Sequence, residues 1–318
     1  MTGDPLELLR QPAGRLRVAT IGTFDGVHRG HRALIEHAAS RAREAGVPLT
    51  VITFDPVPAA VLRPEQFPGA IASPDEKARE LKAAGAGEII VLPFTPELSR
   101  VTAETFMDVL ANDARVAELY TGEGFALGHK RRGTIDVLTR LAADRGMRFE
   151  AIPRIEDHHG VVSSSEIRRA IQRGDATLAA SLLGRWFRVE GEVIRGAQVG
   201  RQIGYPTANV LPAEDMVQLA DGIYATLSWL PGEEDARHSM TYIGTRPALN
   251  TGRRFIETHV LDFDGDLYDQ ILKVDFVKRL RPDADFPTVD ELVAQLRRDE
   301  AEAREVLART STEVPRGI

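Results

Sequence analysis

The chain has no cysteine. Disulfides, thiolate nucleophiles and cysteine-based zinc sites are therefore excluded. A reducing, cytoplasmic setting is the expectation. Lysine is scarce, confined to Lys77, Lys82, Lys130, Lys273 and Lys278, and no long basic block occurs. With a net charge of −7, broad nucleic-acid binding is not expected, because that depends on clustered cations against phosphates. Anionic substrates must be met by local groups. No apolar run approaches the ~18 residues of a membrane span, so no membrane partner is expected. The N-terminal Met-Thr-Gly-Asp-Pro-Leu-Glu lacks the basic start and apolar stretch of a signal peptide. Also missing is any Gly-Lys-Ser/Thr, which excludes a Walker-type phosphate loop.

What is present is a chain of 318 residues, for which two domains are the prior at roughly 100–200 residues each. Up to about residue 185 strand-like runs (16–21, 49–54, 88–92, 116–121 and 147–152) alternate with helical stretches. Ser73, Pro74 and Glu76 form a helix start with a cap, a first-turn proline and a capping-box glutamate. Alternation of this kind predicts a Rossmann-like α/β domain, a parallel sheet with helices on both faces. After Gly184 the pattern changes. Runs at 186–194, 222–230, 239–243, 255–263 and 271–277 follow one another with no helical stretch before Thr288. This predicts an antiparallel β-barrel, closed by a terminal helix that Thr288 and Glu291 cap and that runs to about Arg309. The expected domains are 1–184 and 185–318, an α/β plus β organisation.

Residues Gly22-Thr-Phe-Asp-Gly-Val-His-Arg-Gly-His31 lie where the first strand gives way to a helix. Free backbone N–H groups and the helix dipole favour a bound phosphate there, and His28 and His31 add side-chain donors. By itself the histidine pair reads as helix capping. A metal site is the rival, but it lacks an obvious third ligand. Val162-Ser-Ser-Ser-Glu-Ile-Arg168 opens a helix over 164–172. Its hydroxyls can cap that helix or bind phosphate, and Arg168 lies one turn on. Thr121–Gly133 combines two glycine-bracketed turns with three consecutive bases, as a ligand-edge loop or an ordinary solvated one.

In the second half, Gly200-Arg-Gln-Ile-Gly204-Tyr-Pro-Thr207-Ala-Asn209 offers glycines for a flap over phosphates. Its hydroxyl and amide lie on one face of an extended segment, as hard oxygen ligands for a magnesium nucleotide. Glu257 and His259 share a strand face with Leu261, and a carboxylate there can serve as general base or be an ordinary solvent-facing glutamate. Asp264-Gly265-Asp266 reads as a hairpin turn.

Taken together and in this order, the Gly22–His31 and Gly200–Asn209 segments make the chain resemble the bacterial bifunctional riboflavin kinases/FMN adenylyltransferases, also called FAD synthetases, from about Val18 to Arg304. The resemblance implies a nucleotidyltransferase domain followed by a kinase barrel. The reactions would be riboflavin + ATP → FMN + ADP, then FMN + ATP → FAD + pyrophosphate, with Mg²⁺ in both. It implies an adenylyl-transfer ATP site at Gly22, Phe24, Asp25, His28, Gly30 and His31, with Ser163, Ser164 and Arg168 on the phosphates. It further implies a Mg-ATP loop at Gly200, Gly204, Thr207 and Asn209, and Glu257 as the base on the riboflavin 5′-hydroxyl. The sequence departs from the family pattern at Val57 (usually His), Gly124 (Asp or Asn), Leu127 (Phe), Ser165 (Thr), Tyr242 (Asn), Ala248 (Thr) and Asp269 (Gly). The first three suggest an alternative, a riboflavin kinase with an impaired adenylyltransferase. A non-catalytic flavin- or nucleotide-binding regulator is a second alternative. Oligomeric state stays open.

Overall fold

The computed structural model describes residues 3–10, 15–157, 160–196, 199–213, 215–245 and 254–311. Ala248 lies outside the described residues, as does most of the tail that follows Thr310. Two compact units divide the chain, 1–164 and 165–318.

In the first unit the strands are β1 (Arg17–Ile21), β2 (Leu49–Asp55), β3 (Glu88–Pro93), β4 (Val116–Gly122) and β5 (Arg148–Ile152). They pair in parallel in the order β3-β2-β1-β4-β5. The intervening helices are α1 (Arg29–Glu44), α2 (Pro58–Leu62), α3 (Pro74–Ala83), α4 (Ala103–Asp108) and α5 (Ile135–Ala143). Side chains alternate along the strands, so each face builds its own core. Val18 and Val51 pack with Leu34, Ile35 and Ala38 of α1 on one face. Ala19, Ile21 and Ile52 pack with Phe106, Met107 and Leu138 on the other. Both faces are covered, as the alternation predicts. Ser73 caps α3 by accepting from the Glu76 N–H, with Pro74 in the first turn. The strand order reverses between β1 and β4. In open parallel sheets that switch point, beyond the strands' carboxyl ends, is the ligand crevice. A short hairpin, β6 (Glu156–Asp157) and β7 (Gly160–Val161), follows β5.

The helix α6 (Ser164–Arg173) begins at the division between the units, and α7 (Ala176–Leu183) ends on Gly184, whose left-handed φ of 76° suits glycine. Six strands then close an antiparallel barrel: β8 (Phe187–Ile194), β9 (Ala208–Pro212), β10 (Gly222–Trp229), β11 (Arg237–Thr245), β12 (Arg254–Val260) and β13 (Ile271–Arg281). Two expectations are corrected here. A one-turn helix, α8 (Val199–Gln202), stands where the sequence signals none, while the extended segment expected at Thr207 and Asn209 is the strand β9. Nor is 264–266 a hairpin turn, because β12 and β13 are not neighbours; β9 and β8 lie between them in the barrel. The 261–270 connection instead runs back to β8, where the Asp269 N–H donates to Val193 O and the Val193 N–H to Gln270 O.

Helix α9 (Val289–Ala308) is capped by the Thr288 hydroxyl. It packs Ala303 and Leu307 against Ala225, Leu227 and Val277. The Arg281 guanidinium grips the buried Asp299 carboxylate through Nε and Nη2 at 2.8–3.0 Å. This fork fixes the helix over β13 and forms one wall of the cavity described next. Among the described residues no helix is long and apolar enough to cross a membrane.

Candidate functional sites

In the first unit the Gly22–His28 loop leaves β1 at the switch point and feeds α1. His28 is the N-cap: its Nδ1 accepts from the His31 N–H at 3.3 Å. The accepting nitrogen carries no proton, so the ring's N–H is on Nε2. The two imidazoles stack with centroids 3.6 Å apart, and Phe24 meets His31 edge-on at 5.2 Å. A Cβ on Gly30 would press on the His28 ring, and one on Gly22 on the Phe24 ring. The glycines thus let the aromatic and imidazole rings fold against the loop. His31 Nδ1 is buried without a partner, which an unprotonated ring nitrogen tolerates better than an N–H would.

Burial, and secondarily the facing His28 ring, hold His31 well below the ordinary histidine range. The unfolded chain takes up that proton near pH 6.5 while the folded one does not. Stability is therefore present above about pH 6.5 and is lost as pH falls below it. Thermal unfolding of the first unit between pH 7.5 and 5.5 should show a falling midpoint, with a shallower fall in His31→Gln.

Phe24 and Asp25 are buried. Asp25 Oδ1 accepts from the Ile71 N–H at 3.0 Å, and its carbonyl accepts from the Ser164 hydroxyl at 3.0 Å. Ser164, at the start of α6, is thereby brought to the Gly22–His31 loop. Ser163 precedes it, and Arg168 sits half-buried one turn further along α6, beyond the division between the units.

Lys77, in the first turns of α3, is buried. Its Nζ donates to Phe54 O at 2.8 Å. Desolvation lowers its pKa, opposed by Asp55 and Asp25. Lys77→Met removes a charge-assisted bond under the loop and should cost about 1.5–3 kcal/mol of first-unit stability, readable by denaturant titration. A change within 0.5 kcal/mol would contradict this. No feature of the sequence marks Lys77, since helix periodicity does not see the strand end above it.

In the barrel, β9 and β12 put Asn209 directly opposite Glu257, and β11 adds Tyr242 on the other side of Glu257. Asn209 and Glu257 are both buried. The Thr207 hydroxyl lies 3.5 Å from Glu257 Oε2. Gly200 is required by packing: a Cβ there would run into the Tyr205 carbonyl, and the Tyr205 N–H donates to Gly200 O at 2.8 Å. Gly204 closes the same turn at φ 85°.

Two cavities meet at Thr207. One, of about 350 Å³, is mainly apolar, with Met240, Tyr242 and Phe286 among its walls, Leu292 and Leu296 of α9 opposite, and Glu257 exposed to it. The other, of about 280 Å³, lies against Arg201, Phe263, Leu267 and Tyr268. The Tyr242 hydroxyl donates to Asp283 at 3.0 Å. Burial and that carboxylate push its pKa well above the ordinary phenol value, so it stays a neutral donor. Tyr242, named from sequence only as a departure, is thus a wall of the apolar cavity. The wall from α9 was not foreseen; its signal is the apolar pair Leu292 and Leu296 at helical i, i+4 spacing.

The Thr207 hydroxyl and Glu257 carboxylate lie together, with Asn209 paired opposite Glu257 in the ladder. A Cβ on Gly196 would overlap the Asn209 amide, so glycine there is what lets that amide take its place. This donor set fits Mg²⁺, which is held by one or two protein oxygens with substrate phosphates completing its shell. Among the described residues no three histidine, cysteine or acidic side chains cluster as a metal site.

A phosphate-type loop at the switch point of a parallel sheet, followed by a barrel with a buried carboxylate on an apolar cavity, defines a two-site nucleotide-dependent transferase. The FAD synthetase family model matches residues 11–166 and the riboflavin kinase model residues 183–307. The bifunctional riboflavin kinase/FMN adenylyltransferase of Pseudomonas fluorescens is 36% identical over 94% of this chain and 95% of its own. That of Escherichia coli K12 is 35% identical over 92% and 93%. A crystal structure from Streptococcus pneumoniae, described as a macrolide-efflux protein, is similar over 95% of this chain and 97% of that one, with a TM-score of 0.85 and 29% identity. The chain belongs to the bifunctional riboflavin kinase/FMN adenylyltransferase family.

Proposed function

We infer that this protein makes both flavin cofactors, phosphorylating riboflavin to FMN and then adenylylating FMN to FAD. The observation that carries the kinase half is Thr207, which borders both cavities and lies 3.5 Å from Glu257 on the apolar one. The apolar slot suits the flat ring system of riboflavin, with its 5′-hydroxyl directed at Glu257. The second cavity suits ATP. Glu257 takes the hydroxyl proton as the oxygen attacks the γ-phosphorus, and ADP leaves. Thr207 and Asn209 would hold Mg²⁺, which when bound neutralises phosphate charge. Gly200 and Gly204 shape the turn that brings Thr207 to this point.

In the first unit an FMN phosphate oxygen attacks the α-phosphorus of ATP, forming the new P–O bond as pyrophosphate departs. That phosphate is already anionic, so no base is needed. The N–H groups that open α1, the Nε2–H of His28, and His31 meet the charge that builds at the α- and β-phosphates. Ser163, Ser164 and Arg168 add donors. Gly22, Phe24, Asp25 and Gly30 act by shaping the loop. The assignment of adenylyl transfer to 1–184 and of the kinase to 185–318, and a cytoplasmic location, belong to the same proposal.

Incubation with riboflavin, ATP and Mg²⁺, with FMN and FAD quantified separately, tests it. Both should appear, FMN first. FMN without FAD would mean an impaired adenylyltransferase, and neither product a binding protein.

A further inference from the structure

The loop after β4, residues 122–128, forms the other wall of the switch-point crevice, beside the loop after β1. It is firmly built. Leu127 and Gly133 exchange backbone hydrogen bonds at 2.9 Å each way. Gly128, at φ 76°, lies so close to Ala103 that no side chain fits there. The Glu123 N–H donates to Ile152 O at 2.9 Å, tying the loop to the end of β5.

Two residues beyond Ile152 the chain places Arg154. A Cβ built on Gly124 would overlap the Arg154 guanidinium, so that group occupies the space a side chain at 124 would use. Arg131 Nη2 donates to Gly124 O at 3.1 Å. Gly124 is therefore flanked by two guanidinium groups, and the exposed Lys130 and Arg132 stand beside Arg131. Arg154 pairs with Glu123 at 3.7 Å, with both side chains about half exposed. Such a pair holds little energy, and a phosphate, with more charge and more acceptors, would displace it. In a chain of net charge −7, this is a local concentration of positive charge at the crevice.

We propose that Arg154, seated over the side-chain-less Gly124, is the specificity residue that recognises the phosphorylated acceptor in adenylyl transfer. Arg131 is its nearest companion cation. The inference rests on the reading that this unit adenylylates FMN. It assigns the cation for the incoming acceptor phosphate to the β4 side of the crevice, opposite the His28–His31 loop on the β1 side. Riboflavin, lacking the phosphate, gains nothing from Arg154.

The test uses the full chain and the initial rate of FAD formation from supplied FMN and ATP, from 20 to about 200 mM salt, a range that spans marked changes in screening. In the parent, KM for FMN should rise with salt. Arg154→Ala should raise KM for FMN about tenfold or more at low salt and flatten its salt dependence. KM for ATP and the rate of riboflavin phosphorylation should not change, and the latter also reports that the chain is folded. Arg154→Lys, which keeps charge without the fork, should retain the salt dependence. Gly124→Asn in the Arg154→Ala background should recover part of the affinity without the salt dependence. An unchanged KM for FMN in Arg154→Ala would overturn the proposal. So would a raised KM with an undiminished salt dependence, which would make Arg154 a packing residue. Absence of FAD synthesis in the parent would instead contradict the underlying functional reading.

Discussion

Glu257→Gln should lower the rate of FMN formation from riboflavin by about 10²–10⁴-fold and leave the rate of FAD formation from supplied FMN unchanged. Glutamine keeps the size and hydrogen-bonding edge of the side chain but cannot accept the proton of the 5′-hydroxyl. The barrel makes this a clean substitution. Glu257 lies within a regular β11–β12–β9 ladder, opposite Asn209 and Tyr242, so the backbone has no reason to move. The Thr207 hydroxyl, 3.5 Å away, can still donate to the amide oxygen. The effect should fall on kcat more than on KM for riboflavin, because the apolar walls of the slot are untouched. A loss confined to KM would make Glu257 a binding residue and remove the proposed base.

His31→Ala should produce the reciprocal result: FAD formation falls about 10²–10³-fold, the scale of losing one preorganised donor at developing charge, while FMN formation continues. Two features of the structure set this apart from a loss of packing alone. His31 is held far below its ordinary pKa, so its role as a neutral donor should persist through pH 6, and the parent's FAD synthesis should show no inflection near 6.5 from this group. His31 also offers its ring to the Phe24 edge and the His28 face. His31→Phe preserves both ring contacts and should therefore stay folded yet remain as impaired as His31→Ala. Recovery of FAD synthesis in His31→Phe would reduce His31 to a spacer.

Much of this was legible in the sequence, for identifiable reasons. The five strands of the first unit announce themselves because buried parallel strands are continuous apolar runs between capped helices. Ser73 and Thr288 could be named as caps because capping is local chemistry. His28 was legible in both of its readings, and the structure places it as the cap, with its Nδ1 spent on the His31 N–H. Long-range placement was harder to see. Strand β9 is five residues long; its extended character shows at Thr207 and Asn209, but its pairing with β12 and β8 is reported by no local pattern. The supposed turn at 264–266 failed because adjacency in sequence was taken for adjacency in the barrel. Lys77 and Arg154 were invisible as site residues, since each matters through a group distant in sequence, Phe54 O in one case and Gly124 in the other. The slot between Glu257 and α9 is likewise walled by residues distant in sequence, Arg281 and Leu296 among them.

The central claim is that two transfers occur at two separate sites of one chain. Its most direct test mixes Glu257→Gln with His31→Ala protein in the presence of riboflavin, ATP and Mg²⁺. Alone, the first should leave riboflavin unchanged and the second should stop at FMN. Together they should carry riboflavin to FAD, because FMN released by the intact barrel of one chain is taken up by the intact first unit of the other. A mixture that accumulates FMN and forms no FAD, although both proteins are folded, would contradict the account.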